Sequence, residues 1–161
     1  MGGESLRGAA AYADREAAAE AVRLVMPMIE RAMTDPRVGE SGFLHIVIMD
    51  PAARPGIDAP EQAILYEESV GDRAAWDADY GAYARAKAAI SWRTGLDSHT
   101  VCETRPHLLR PADGTVWGSV CVEGIVVGVS GANPWYDEAF AGAIAHAFKA
   151  LAKARSRGLP R

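Results

Sequence analysis

The stretch from Thr115 to Phe140 constrains the fold more than any other part of the chain, because two short β-branched runs lead straight into a capped amphipathic helix. Val116 to Val122 and Ile125 to Ser130 are separated only by Glu123-Gly124, the residue pattern of a tight hairpin turn. Asn133 then stands at an N-cap position, Pro134 at the first helical position, and Asp137 and Glu138 follow within about a turn. Backbone N–H groups at such a helix start are only partly satisfied and the helix dipole favours anions, so a ligand carboxylate or propionate could dock there.

Upstream, apolar residues at Ala18, Ala21, Val22, Val25, Met28, Ile29 and Ala32 have the spacing of one buried helical stripe over Arg15 to about Met33. Pro27 falls inside it and predicts a kink or two abutting helices. Phe43 to Met49 reads as a covered central strand, and Gln62 to Ser69 as a second strand. Asp72 to Thr94 reads as a helix with Trp76, Tyr80, Tyr83, Lys87 and Ile90 on one stripe and Gly95 as its terminator. Asp97 to Pro106 reads as irregular, and His107 to Arg110 as a short strand. The expected order is α-β-β-α-β-β-β-α, an α+β domain over residues 15–158 with a mainly antiparallel sheet of about five strands and three main helices. Residues 1–14 read as a flexible N-terminal arm.

At 161 residues the chain is of single-domain size, and a net charge of −4 without a basic stripe leaves no footprint for nucleic acid. No apolar run approaches the roughly 20 residues of a membrane span, and the first residues lack an apolar secretion core, so a cytoplasmic location is expected. Cys102 and Cys121 make neither a disulfide framework nor a zinc spacing, and the four histidines show no metal spacing.

The candidate chemistry gathers around the hairpin and the last helix. Glu138 and Asp137 suit general acid–base work, or simply complement the helix dipole. Lys87 shares a stripe with Ile90 and so points toward the sheet. There it acts as a base of lowered pKa or pairs with Asp50 or Asp137. Gly128, Ser130 and Gly131 allow either a ligand or a neighbouring helix to approach the backbone. Ala132 and Asn133 complete that strand end, while Trp135 and Tyr136 offer stacking area for a flat ligand or staple the helix down. His45 reads as a satisfied sheet residue and His146 as solvated. His99 and His107 are the freer pair, suited to acid–base work or to axial ligation of haem.

Three segments carry a family resemblance: Ile125 to Ala143, centred on Gly128-Val-Ser-Gly-Ala132 and Asp137-Glu138; Phe43-Leu-His-Ile-Val-Ile-Met-Asp50; and Tyr83-Ala-Arg-Ala-Lys-Ala-Ala-Ile90. In this order they resemble the haem-binding GlcG/HbpS family, which is related to the C-terminal domain of PduO-type corrinoid adenosyltransferases. The resemblance implies a profilin-like sheet flanked by helices, a homo-oligomer, and a small-molecule ligand with haem as the leading candidate. Some members ligate haem through a histidine near the first helix, and this chain has none before His45. The second expectation is a small catabolic enzyme of tautomerase or hydratase type acting on a carboxylic acid such as a ring-cleavage product. There Glu138 or Asp137 would move protons with Lys87 or His99.

Overall fold

The computed structural model describes residues 10–158. Four strands form one antiparallel sheet in the order β2-β1-β4-β3, where β1 is Leu44–Met49, β2 Ile64–Val70, β3 Ser119–Val122 and β4 Ile125–Ser130. The helices are α1 (Arg15–Ala32), α2 (Tyr80–Thr94), α3 (Ser98–Thr104) and α4 (Pro134–Ser156). Among the described residues, no helix is long and apolar enough to cross a membrane. Residues 1–9 of the expected N-terminal arm lie outside the described residues, and residues 10–14 are bends that lead to Asp14, whose carboxylate caps α1 at Ala17 N–H.

Every residue of β1 is buried, because helices cover both faces of the sheet. Leu44, Ile46 and Ile48 join Val127 and Val129 of β4 in one core with α1 and α4; Val47, Met49 and Val126 join Ala84 and Ala88 of α2 in the other. This alternation follows from the period-two side-chain direction of a strand. The two-sided burial explains why β1 is almost continuously apolar. The α2 layer approaches unusually closely. A Cβ on Gly128 would come within 2.6 Å of Ala84 O and 2.8 Å of the Ala88 Cβ, so the missing side chain is the space that the helix occupies. Glu123 and Gly124, both at positive φ, make the hairpin turn as its sequence predicts.

Four expectations need correction. Among the described residues the sheet has four strands, since the segment from His107 to Arg110 begins in a 3-10 turn over Pro106–Leu108. The residues read as irregular contain α3, pinned to β3 by the side chains of Asp97 and Ser98. The second long helix begins at Tyr80, not Asp72, because Asp72 caps only a 3-10 turn over Arg73–Ala75 and Asp79 caps the true start. As a result Trp76 stands outside the helix; Tyr83 lies within it but is exposed, off the buried stripe that holds Lys87 and Ile90. Finally, Pro27 does not divide α1 into two abutting helices, since one helix runs from Arg15 to Ala32. Arg23, Pro27 and Met28 all lie on its exposed side, so the carbonyl that Pro27 leaves unpaired faces water.

The fit of α2 against β4 gives a direct test. Gly128→Ala is expected to destabilise the fold by about 1–3 kcal/mol, read as a lower urea midpoint with an unchanged slope, because the new methyl meets backbone that cannot yield. Unchanged stability would mean that α2 does not sit this close.

Candidate functional site

Lys87 projects from α2 into the seam between β4 and α4. Its ammonium donates to Asp137 Oδ2 at 3.0 Å and to the Val129 carbonyl at 3.1 Å, and both side chains are buried, Lys87 at 5% and Asp137 at 1% exposure. Of the two partners open to Lys87 from sequence, the structure brings it to Asp137. The other carboxylate oxygen accepts the Ala132 N–H at 2.9 Å, and the Gly131 backbone also donates to this carboxylate. Burial works against charge on both groups: it lowers the Lys87 pKa, and it raises that of Asp137 to about 6 although the lysine and the two backbone donors pull the other way.

A serine network continues from this pair. Ser119 Oγ donates to the Lys87 carbonyl at 2.6 Å and meets Ser91 Oγ at 2.6 Å. Ser98 Oγ accepts the N–H groups of Gly118 and Ser119 at 3.2 and 3.0 Å, and Asp97 Oδ1 accepts that of Cys121 at 2.9 Å. These bonds fix the first turn of α3 to β3. Gly118, at φ +145, lies against the lysine; a Cβ there would come within 2.9 Å of Nζ and 2.4 Å of Val129 O. Only glycine lets the chain pass over the ion pair at this point.

The consequence appears at the surface, where the neighbours of these buried residues meet. His99 follows Ser98, Trp117 precedes Gly118 and Glu138 follows Asp137. The His99 ring stacks on Trp117 with centroids 3.8 Å apart and planes 25° off parallel. Its Nδ1 lies 3.8 Å from Glu138 Oε2, a buried oxygen with no hydrogen-bond partner among the described residues. Burial raises the Glu138 pKa, with the His99 charge opposing and Asp97 adding to it. Trp135, 57% exposed, stands one turn before Glu138 on the same side of α4. The result is a half-exposed imidazole with a carboxylate behind it and aromatic surface beside it.

The other candidates have structural tasks. Gly128 lies under α2, and Gly131 passes so close to Phe43 that a Cβ would fall 2.1 Å from its carbonyl oxygen. Ser130 is buried at the end of β4. Asn133 makes no side-chain cap; its Nδ2 donates to Arg37 O at 2.6 Å and its N–H to Val38 O at 2.8 Å. Tyr136 packs on the α1–α4 core, and His107 is exposed on the 3-10 turn. Gly131, Ala132 and Asn133 do line an open depression of about 430 Å³, but its charged walls are Glu40 and Asp77. With Asp137 already bonded to the Ala132 N–H and two acids facing the depression, the start of α4 is poorly suited to an anion. Elsewhere, His45 is satisfied by Ser69 and Glu67, and the Cys102 thiol is pushed up by burial, which disfavours a thiolate nucleophile.

Trp117 is the site residue that sequence reasoning missed: inside an expected strand it carried no signal except the glycine that follows it. The titration of Asp137 tests the buried pair. Its carboxyl carbon is expected to titrate by NMR with a midpoint near 6. Because the folded pKa lies above the unfolded one, this group favours the folded state fully below about pH 4, and its contribution is lost as pH rises toward 6. A midpoint below 4 would contradict the burial described here.

No family model matches the chain, and no curated protein matches it in sequence. Crystal structures do match its fold. The Ybr137w protein superposes with a TM-score of 0.57 at 14% identity, over 83% of this chain and 77% of its own. Protein ORFY of Klebsiella pneumoniae, of family DUF336, gives 0.53 at 15% identity over 84% and 88%. HbpS gives 0.50 at 23% identity over 82% and 86%. The chain has the α+β fold that HbpS and the DUF336 protein ORFY share.

Proposed function

We propose that this chain binds a flat small molecule against the face formed by α3 and the start of α4, with His99 as the contacting group and haem as the ligand. The observation that carries the reading is the buried Glu138 oxygen, without a hydrogen-bond partner among the described residues and 3.8 Å from His99 Nδ1. Imidazoles that ligate metals nearly always turn their second nitrogen to a carboxylate or carbonyl, which fixes the tautomer and makes the ligating nitrogen more basic. His99 Nδ1 faces the Glu138 carboxylate at 3.8 Å, short of a hydrogen bond but close enough for a small ring movement to make one, and its Nε2 has no protein partner among the described residues. Trp117 holds the ring in plane, while Trp135 adds exposed aromatic surface for a flat body. When bound, haem would supply a redox-active iron, and His99 is the residue that would hold it. The chain's own part is to orient the imidazole, bear the Glu138 charge beside it and offer apolar surface.

The raised Glu138 pKa favours a second reading, in which the same pair exchanges protons with a carboxylic-acid substrate. Lys87 and Asp137 would then act from beneath, since both are bonded within the fold and out of solvent reach.

A hemin titration separates the two. Haem binding predicts a saturable Soret shift at about one haem per chain. His99→Ala should abolish it, His107→Ala should leave it intact, and Glu138→Gln should weaken it by about tenfold or more. No shift, or one indifferent to His99→Ala, would sink the haem reading. Turnover of a ring-cleavage acid lost on Glu138→Gln in a folded protein would establish the second.

A further inference from the structure

The side of α2 turned away from Lys87 borders a groove of about 450 Å³. Ala82, Ala86 and Ala89 recur there at helical spacing and leave the helix surface low and apolar. The opposite wall is Met49 and Ile64, and a β-bulge puts them there. The register of β1 against β2 runs from Leu44–Val70 to Ile48–Tyr66, then jumps to Met49–Ile64, so Leu65 is the extra residue. Leu65 packs into the α1–α4 core, whereas Ile64 is turned to the α2 side beside Met49. Bulges commonly re-aim a side chain in this way at the edge of a site.

Three guanidinium groups and two carboxylates ring this apolar trough. Arg93 and Asp113 neutralise each other as a mostly buried pair, 14% and 8% exposed, and Asp113 also accepts the Arg110 backbone N–H at 2.7 Å. Arg85 gives Nε and Nη2 to Glu67 at 2.6 and 3.0 Å, which leaves Nη1 unengaged among the described residues. The Arg110 guanidinium has no partner among the described residues, and neither has the Glu61 carboxylate on the other lip. An apolar cavity of this size with a few convergent polar groups is the usual form of a small-molecule site.

We propose that this groove binds a monocarboxylate with a flat apolar body. The body lies on the alanine floor between Ile64 and Pro60, and the carboxylate meets Arg110, with Arg85 Nη1 as a second donor. A guanidinium suits a carboxylate because it offers parallel N–H donors in one plane. Glu61 sets the charge limit: a second negative group on the ligand would face it unpaired. The groove is separate from His99 and Glu138 and does not depend on the haem reading.

The probe is 2-naphthoate, titrated at low salt and followed through backbone amide shifts of the full chain. Saturable shifts confined to residues 82–93 and the neighbouring 60–64 and 110–113 segments are expected. Arg110→Ala should raise the Kd at least tenfold, and Ala86→Leu, which fills the groove from a half-exposed position, should abolish binding while leaving the remaining spectrum folded. The neutral methyl ester and the dicarboxylate 2,6-naphthalenedicarboxylate should both bind at least tenfold more weakly. His99→Ala should change nothing. The proposal is overturned by an absence of saturable shifts up to about 5 mM, by equal binding of acid and ester, or by indifference to Arg110→Ala.

Discussion

The ion pair between Lys87 and Asp137 is the constraint around which the rest of the structure is arranged. Taking both charges out of water costs several kcal/mol each, so the pair persists only with good geometry and its remaining hydrogen-bonding capacity used. The chain meets that condition with the Val129 carbonyl on the lysine and the Ala132 N–H on the aspartate. Those bonds join α2, the end of β4 and the first turn of α4 at one buried point. The glycine that covers the ammonium, Ser119 on the Lys87 carbonyl and Ser98 on the Ser119 N–H extend the same cluster to β3 and α3. The exposed groups sit where they do because each is the chain neighbour of a buried member. His99 is held by Ser98, Trp117 by Gly118 and Glu138 by Asp137.

Much of this was legible in the sequence wherever local chemistry decides the outcome. Glu123-Gly124 specifies its turn, Pro134 marks the first residue of α4, and the helical position of Lys87 aims it inward with Asp137 among its two available partners. The failures share one physical cause. Asp72 and Asp79 are both caps, the first of a 3-10 turn and the second of α2, and the residue type alone does not distinguish them. The seven residues of α3 are too few to be stable alone and carry β-branched Thr100, Val101 and Thr104; bonds from Asp97 and Ser98 to β3 hold them in place. The stacking of His99 on Trp117 joins residues 18 positions apart through that docking, and no local pattern announces it. Gly128 had two readings from sequence, ligand approach or helix approach, and the positions of Ala84 and Ala88 account for its missing side chain.

The two faces of α2 divide the molecule's chemistry. Lys87 and Ser91 on one side create a buried polar junction that supports an imidazole–carboxylate pair above it. On the other, alanines and arginines border a trough whose remaining wall is set by a one-residue bulge in β2. A single helix can serve both because Gly128 lets it lie almost on the sheet, with Ala84 and Ala88 toward the strands. The same closeness keeps the spacing between α2 and β4 short enough for a lysine to bridge to α4.

The central claim, that the buried pair organises this end of the fold, is tested most directly by a double-mutant cycle with Lys87→Met and Asp137→Asn measured by urea unfolding. Each single change leaves a partner buried without its counter-charge and is expected to cost about 3–5 kcal/mol. The double variant should cost clearly less than the sum, with a coupling of about 2–3 kcal/mol, and the amide signals of Ala132 and of residues 97–99 should shift in both single variants. Additive losses, or single variants as stable as the parent with unmoved α3 signals, would show that the two charges do not meet and that something else holds the site together.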